Sequence, residues 1–216
     1  KPGARSMALI GNGAQSEFQA VAFHEALGID RFYLYDTDLF ATERLTHHLN
    51  ELGFHVTRCK SVAQAVARAD VITTATAAKT RAHVLTRDML RPGVHINAIG
   101  GDCPGKTELH PDVLGNARVF VEYEPQTRIE GDIQQMPSDF PVIQLWEVLT
   151  GFALGRTHAD QITVFDSVGF ALEDFSALRY MHELAKEKGE LEYLSLIPHM
   201  SNPKNLYGLI SKAECA

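Results

Sequence analysis

The stretch SMALIGNGAQSEF, residues 6–18, decides the fold. Its apolar run Ser6–Ile10 reads as a strand, stopped by Gly11-Asn12-Gly13. From about Gln15 a helical spacing follows, with Phe18, Val21, Ala22 and Ala26 on one face and Gly28 as the stop. Strand, glycine turn and helix in that order is the context in which a dinucleotide binds. Gly11 permits the tight turn, and Gly13 lets the backbone approach a pyrophosphate. The exposed amides at the helix start, around Ala14 and Gln15, can bind phosphate oxygens. Ser16 stands where the G-x-G-x-x-G pattern has its third glycine, and it is small enough to keep helix close to strand. A plain strand-to-helix turn would look the same at this point. The next strand separates the two readings.

That strand is Arg31–Tyr35 (RFYLY), ending at Asp36, 25 positions after Gly11. The spacing is that of a ribose ligand. A carboxylate there accepts hydrogen bonds from ribose hydroxyls and repels a 2′-phosphate, so NAD is expected rather than NADP. Asp36 could instead cap the following helix, a task open equally to Thr37 or Asp38.

The alternation continues outward. Phe40, Leu45, Leu49 and Leu52 fit a second helix closed by Gly53, and His55–Cys59 a third strand. Ser61 is placed to cap a short helix with Val62, Ala65, Val66 and Ala69 inward. Val71–Thr74, Val94–Ile99 and Arg118–Glu122 make three more strands, and Gln161–Phe165 a later one. Strands alternating with helices imply an α/β, Rossmann-like, doubly wound and mostly parallel sheet with helices on both faces. Residues 123–141 carry three prolines and no period, so they read as a functional or interface loop. A long amphipathic helix is expected over 170–188, with Phe170, Leu172, Phe175, Leu178, Met181 and Leu184 inward and Gly189 past its end; the tail after Ser195 reads as loose. Two parts result: 1–168 as the nucleotide-binding domain, and 169–216 as a helix and tail that complete or leave it.

Composition narrows the function. The chain has 216 residues, 45% hydrophobic and 22% charged, with net charge −7 and no like-charge run, which disfavours nucleic acid and anionic membranes as partners. No apolar stretch is long enough to span a bilayer. Three scattered cysteines, Cys59, Cys103 and Cys215, and no signal peptide point to the cytoplasm. The opening Lys-Pro-Gly, without an initiator methionine, predicts a processed or truncated start. The ten histidines form no metal-binding spacing and read as solvated, so no metal is expected.

Two segments carry chemistry. Thr73-Thr74-Ala75-Thr76 follows the fourth strand, where its hydroxyls line a cofactor cleft or satisfy loop backbone. In NAIGGDCPGKTEL (residues 97–109) a strand ends in paired glycines, followed by a carboxylate, a thiol and a lysine. Asp102 is placed to act as general acid or base beside a nicotinamide, and Lys106 to contact the cofactor or a carboxylate. Cys103 has no neighbouring histidine to activate it and reads as packing.

With GNGAQSEFQ, VEYEPQTRIEGDIQQMP and FDSVGFALEDFSALRY, that block resembles ornithine cyclodeaminases of the ornithine cyclodeaminase/mu-crystallin superfamily, from about residue 5 to 198. The resemblance implies NAD-dependent conversion of L-ornithine to L-proline and ammonia, with the hydride lent to NAD and returned. It implies Asp102 as catalytic and substrate-contacting residue, and Gly11, Gly13, Ala14, Gln15, Asp36 and Thr76 as cofactor contacts. Asn97, Ala98, Ile99 and Lys106 match positions near the nicotinamide half, Ser167 a further cofactor contact and Val168 a substrate contact. Family members are homodimers with an additional domain before this one, which supplies the cations for the ornithine carboxylate. No counterpart is found in this sequence, so the chain alone is expected to bind NAD and to turn over ornithine poorly. Related members with net redox chemistry (amino-acid dehydrogenases, imine reductases) and non-catalytic, crystallin-like nucleotide binders are the alternatives, and lysine is a competing substrate.

Overall fold

Met7, Ala8, Leu9 and Ile10 are all buried, an arrangement that requires helices on both faces of the sheet that holds them. The computed structural model describes residues 1–78, 81–191 and 202–210. Its first half runs β1 (Ser6–Ile10), α1 (Ala14–Leu27), β2 (Arg31–Tyr35), α2 (Leu39–Glu51), β3 (His55–Arg58), α3 (Val62–Val66), β4 (Val71–Thr74), β5 (Arg81–Leu85) and β6 (His95–Ala98). The second runs β7 (Thr107–Leu109), α4 (Pro111–Gly115), β8 (Arg118–Val121), α5 (Glu124–Glu130), β9 (Ile143–Gln144), α6 (Leu145–Leu149), β10 (Thr163–Asp166), α7 (Ala171–Lys188) and α8 (Tyr207–Ile210). Eight strands form one sheet in the order β3-β2-β1-β4-β6-β10-β8-β9, every pair parallel. The winding reverses between β1 and β4, which opens a crevice at their carboxyl ends. The expected α/β, Rossmann-like architecture is what the chain adopts.

Alternate residues of β1 feed the two cores. Ala8 and Ile10 pack with Ile72, Ile96 and Val164 on one face. Met7 and Leu9 pack with Phe32, Leu34, Leu45 and Leu49 on the other. Asp38 caps α2 by accepting from the Phe40 and Ala41 amides, and Ser61 caps α3 through the Gln64 amide.

Several expectations fail for identifiable reasons. Helix α1 buries Ser16, Glu17 and Ala20 rather than Phe18, Val21, Ala22 and Ala26. A charged pair organises that face: Glu17, 1% exposed, accepts from Arg44 at 3.3 Å and lies 2.8 Å from His48 Nδ1. Leu45 and Leu49 of α2 enter the core, but Phe40 and Leu52 stay exposed. Residues 123–141 are not a loop. They hold α5 and a 3₁₀ turn at Asp132–Gln135, with Pro125 in the first helical turn, where a missing amide costs nothing. The small parallel sheet of β5 and β7 carries no periodic signal and was not anticipated. Helix α7 forms as expected, but Leu172, Phe175, Leu178 and Met181 are exposed among the described residues instead of inward, and only Leu184 and Ala185 are half-buried. The tail expectation falls partly outside the described residues, as does Cys215; Tyr207–Ile210 is a helical turn whose Tyr207 ring packs on Phe18 and His48. No helix among the described residues is long and apolar enough to cross a membrane.

Candidate functional site

The crevice between β1 and β4 is a cavity of about 440 Å³ lined by Gly11, Gly13, Asp36, Thr76, Val62 and Lys204, among others. Gly11 has φ +91°, and a Cβ there would stand 2.4 Å from the Ala75 carbonyl oxygen, so a side chain is excluded on two counts. Gly13 has only open space beside it, the free approach that a pyrophosphate needs. As N-cap of the 14-residue α1 it offers no side-chain hydrogen bond, which leaves the first-turn amides of Ala14 and Gln15 for a ligand. Ser16 uses its hydroxyl on the Gly11 carbonyl, 2.6 Å away, and locks the turn.

Asp36 is half-buried at the end of β2. Its carboxylate accepts from the Asn12 amide at 2.6 Å and the Asp38 amide at 2.9 Å. Because Asp38 caps α2, Asp36 is spared that task, and its remaining lone pairs are free for hydroxyls. Lys204, from the described part of the tail, binds Asp38 at 2.7 Å on the rim. These features fit a dinucleotide: a helix start for phosphates, an acid for ribose and a cavity between them.

Beyond β6, at the same carboxyl edge of the sheet, Lys106 is buried and its ammonium lies 2.9 Å from Asp102 Oδ1. The Asp102 side chain is 56% exposed, with no second partner among the described residues, so Oδ2 is open to a substrate. The expected nicotinamide-side residues tie the strand ends together. Asn97 Nδ2 donates to Gln19 Oε1 on α1 at 3.1 Å, Ile99 N donates to the Thr74 carbonyl, and Ser167 N donates to the Ala98 carbonyl. Val168 is half-buried directly beyond Ser167. Cys103 is exposed, which corrects the packing expectation. The histidines are not uniformly solvated either: burial pushes His95 down to about 4, and His48 faces Glu17. No group of potential ligands that could hold a metal occurs among the described residues.

Sequence reading missed a set of acids behind the site. Glu108 is fully buried and accepts from both the amide and the hydroxyl of Thr76. The Thr76 hydroxyl therefore serves Glu108 from within the cavity lining, while Thr73 Oγ1 accepts from the Asn97 side chain at 3.4 Å. Asp132 Oδ1 accepts from the Glu108 and Leu109 amides, each at 2.8 Å. Asp166 accepts from the Asp132 and Ile133 amides, and Glu122 from the Ser167 hydroxyl and the Gly169 amide. Burial raises the Glu108 carboxyl above its ordinary range, against the pull of the Thr76 hydrogen bonds. Burial, reinforced by Glu108, pushes Asp132 up to about 7, and burial with the Asp132 charge raises Asp166 well above the ordinary range. The available signal was an acid within the short strand TEL and another at the end of VFD.

The folded protein therefore retains on the buried Asp132–Asp166 pair a proton that the unfolded chain releases near pH 4. Its contribution to stability is fully present below the unfolded pKa and is lost as pH rises through about 7. Asp132→Asn keeps the Oδ1 acceptor and removes the charge. It should flatten the decline of Tm between pH 5 and 8 and raise Tm at pH 8, by about 2–4 °C for each kcal/mol recovered. Thermal melts across pH check this, and an unchanged slope would refute it.

A second cavity, of about 510 Å³, opens at the opposite edge of the sheet near Asn116, Arg118 and His158. Ligands of open parallel sheets sit at the carboxyl ends of the strands, so the first cavity is the candidate.

The comparisons agree with this geometry. The model of the Ornithine cyclodeaminase/mu-crystallin family matches residues 1–189. An ornithine cyclodeaminase from Brucella suis biovar 1 (strain 1330) is 57% identical over 211 residues, 98% of this chain and 59% of that protein. A lysine cyclodeaminase whose structure concerns recognition of L-lysine, L-ornithine and L-2,4-diaminobutyric acid is 33% identical, with TM-score 0.82, over 97% of this chain and 61% of that one. An archaeal alanine dehydrogenase dimer with bound NAD is 26% identical, with TM-score 0.80, over 91% of this chain and 62% of that one. The chain thus spans about 59% of the length of the curated relatives it matches. Matched by the family model over most of its length, and by relatives of that name along nearly all of it, the chain belongs to the Ornithine cyclodeaminase/mu-crystallin family.

Proposed function

We propose that the chain carries the NAD-binding and proton-transfer half of an ornithine cyclodeaminase. The observation that supports this most is the open Asp102 carboxylate, held by Lys106 in the loop beyond β6, at the same carboxyl edge of the sheet as the dinucleotide-type turn and ribose acid. On this reading residues 1–168 are the cofactor domain, with 169–188 leading out of it along α7. The cations for the ornithine carboxylate then belong to the length of the relatives that lies beyond the match. Similarity to the Brucella protein supports ornithine as substrate, and the NAD-bound neighbour supports NAD.

The amides of Ala14 and Gln15 would hold the pyrophosphate, and Asp36 the adenosine ribose. When bound, NAD supplies the electron acceptor for the carbon–hydrogen bond beside the substrate amine and later restores that bond. Asp102 takes the proton from the α-amine through Oδ2, and gives a proton to the nitrogen that leaves as ammonia once the side-chain amine has closed the ring. Lys106 fixes the Asp102 rotamer through Oδ1. Val168, beside Ser167, would contact the substrate.

The test is to supply L-ornithine and NAD to the full-length protein and to follow proline, ammonia and reduced-nicotinamide absorbance together. Proline and ammonia in equal amounts, with no accumulating NADH, support the reading. Net NADH would point to an amino-acid dehydrogenase instead.

Cofactor choice is a separate expectation. NAD should bind more tightly than NADP, and Asp36→Ser should narrow the gap by weakening NAD about tenfold, the equivalent of one charged hydrogen bond, while easing repulsion of the 2′-phosphate. Parallel titrations check it. Equal affinities in the unmutated protein would refute the role of Asp36.

A further inference from the structure

Two hydroxyls that the family resemblance implies as cofactor contacts, Thr76 in the crevice lining after β4 and Ser167 directly after β10, share one feature. Each donates its proton to a glutamate that the proposed mechanism does not use. Thr76 Oγ1 donates to Glu108 Oε1, and Ser167 Oγ donates to Glu122 Oε1. In both cases the same glutamate also accepts a backbone amide of that loop: Thr76 N at 2.7 Å on Glu108 Oε1, and Gly169 N at 2.7 Å on Glu122 Oε2. The direction of the first bond holds whether Glu108 is charged or neutral. Oε1 already accepts the Thr76 amide, so any proton resides on Oε2, which is buried and has no partner. Glu108 is further confined by Gly100, where a Cβ would stand 2.1 Å from its carboxylate oxygen.

A hydroxyl has one proton to give and two lone pairs to receive with. With both protons committed inward, Thr76 and Ser167 meet a ligand as acceptors only. Phosphate oxygens are acceptors too, so they gain nothing from these positions. The donor groups of a dinucleotide are its ribose hydroxyls and its amide and amino nitrogens.

Resting on the reading of the crevice as an NAD site, we propose that Glu108 and Glu122 are positioning residues which, by taking the protons of Thr76 and Ser167, fix both as acceptors for ribose or carboxamide donors of the cofactor. The two glutamates differ in a way that makes the proposal testable. Glu108 uses one oxygen for both bonds, so a glutamine can present its carbonyl there and turn its nitrogen to the unpartnered side. Glu122 uses both oxygens, so a glutamine must set an NH₂ against a donor.

The experiment is to titrate NAD into the protein and its Glu108→Gln, Glu108→Ala, Glu122→Gln and Ser167→Ala variants, with melting curves for each. Glu108→Ala is expected to weaken NAD about tenfold, and Glu108→Gln to recover affinity to within about threefold. Glu122→Gln should weaken NAD about tenfold, and no further when combined with Ser167→Ala. If Glu108→Ala fails to fold, Thr76→Val against Thr76→Ser decides the same point: valine loses affinity and serine regains it. Lower melting temperatures with unchanged NAD affinity would show these acids to be merely structural and overturn the proposal. Failure of the unmutated protein to bind NAD would overturn the cofactor reading and this proposal with it; tight binding by every variant would overturn this proposal alone.

Discussion

In the full-length protein, Asp102→Asn should abolish proline formation while NAD affinity changes by less than about threefold, since general acid–base groups act on rate and contribute about 10²–10⁴-fold. Asparagine keeps the Oδ1 acceptor that meets Lys106 at 2.9 Å, so the loop geometry is preserved. It removes the capacity to accept and return a proton at Oδ2, the atom open to the substrate. The ammonium of Lys106 cannot replace it: that side chain is buried and its charge is directed at Oδ1. Turnover with ornithine and a separate NAD titration check both halves. Wild-type turnover would show Asp102 to be an exposed loop residue and nothing more.

Gly11→Ala should be the most damaging single change to the cofactor cleft. A methyl group meets the Ala75 carbonyl at 2.4 Å and its carbon at 2.7 Å, both rigid backbone atoms. It must also adopt φ +91°, which costs about 1–3 kcal/mol for a residue with a side chain. Relief requires the β1 turn and the loop after β4 to part, and those are the lips that line the crevice, the first proposed to hold the pyrophosphate and the second carrying Thr76. NAD affinity should fall by about 100-fold or more, since positioning energies of several kcal/mol are at stake, with a lower Tm beside it. Affinity unchanged by the methyl group would mean that the lips are free to move apart.

The parts legible in the sequence were those governed by local rules. Ser6–Ile10 with Gly11 and Gly13, the acid ending RFYLY, and the alternating elements up to His95–Ala98 each follow from a few neighbouring residues. What escaped depended on distant partners. Nothing near Glu17 in sequence announces its burial, which Arg44 and His48 on α2 make tolerable. Glu108 carries no local signal either, since nothing near it in sequence announces Thr76 or Asp132. The prolines of 123–141 were read as breakers although Pro125 begins a helix. On α7 the apolar spacing was read correctly as helix and wrongly as core: periodicity reports that a face is apolar, not that the described chain covers it.

The strand order also imposes a timetable on synthesis. Strands β1 to β4 and β6 can pair as they leave the ribosome, each beside one already made. β8 and β9 cannot, because they join the sheet only through β10, at Thr163–Asp166. Until that segment emerges, β6 is a bare edge with unpaired amides and carbonyls, and the β8–β9 unit is an orphan ribbon with a sticky face. The Asp166 carboxylate that seats the 3₁₀ turn at Asp132 arrives with the same strand. β10 is therefore a keystone delivered late. The nascent chain is most exposed to aggregation and to chaperone capture in the interval between residues 121 and 163.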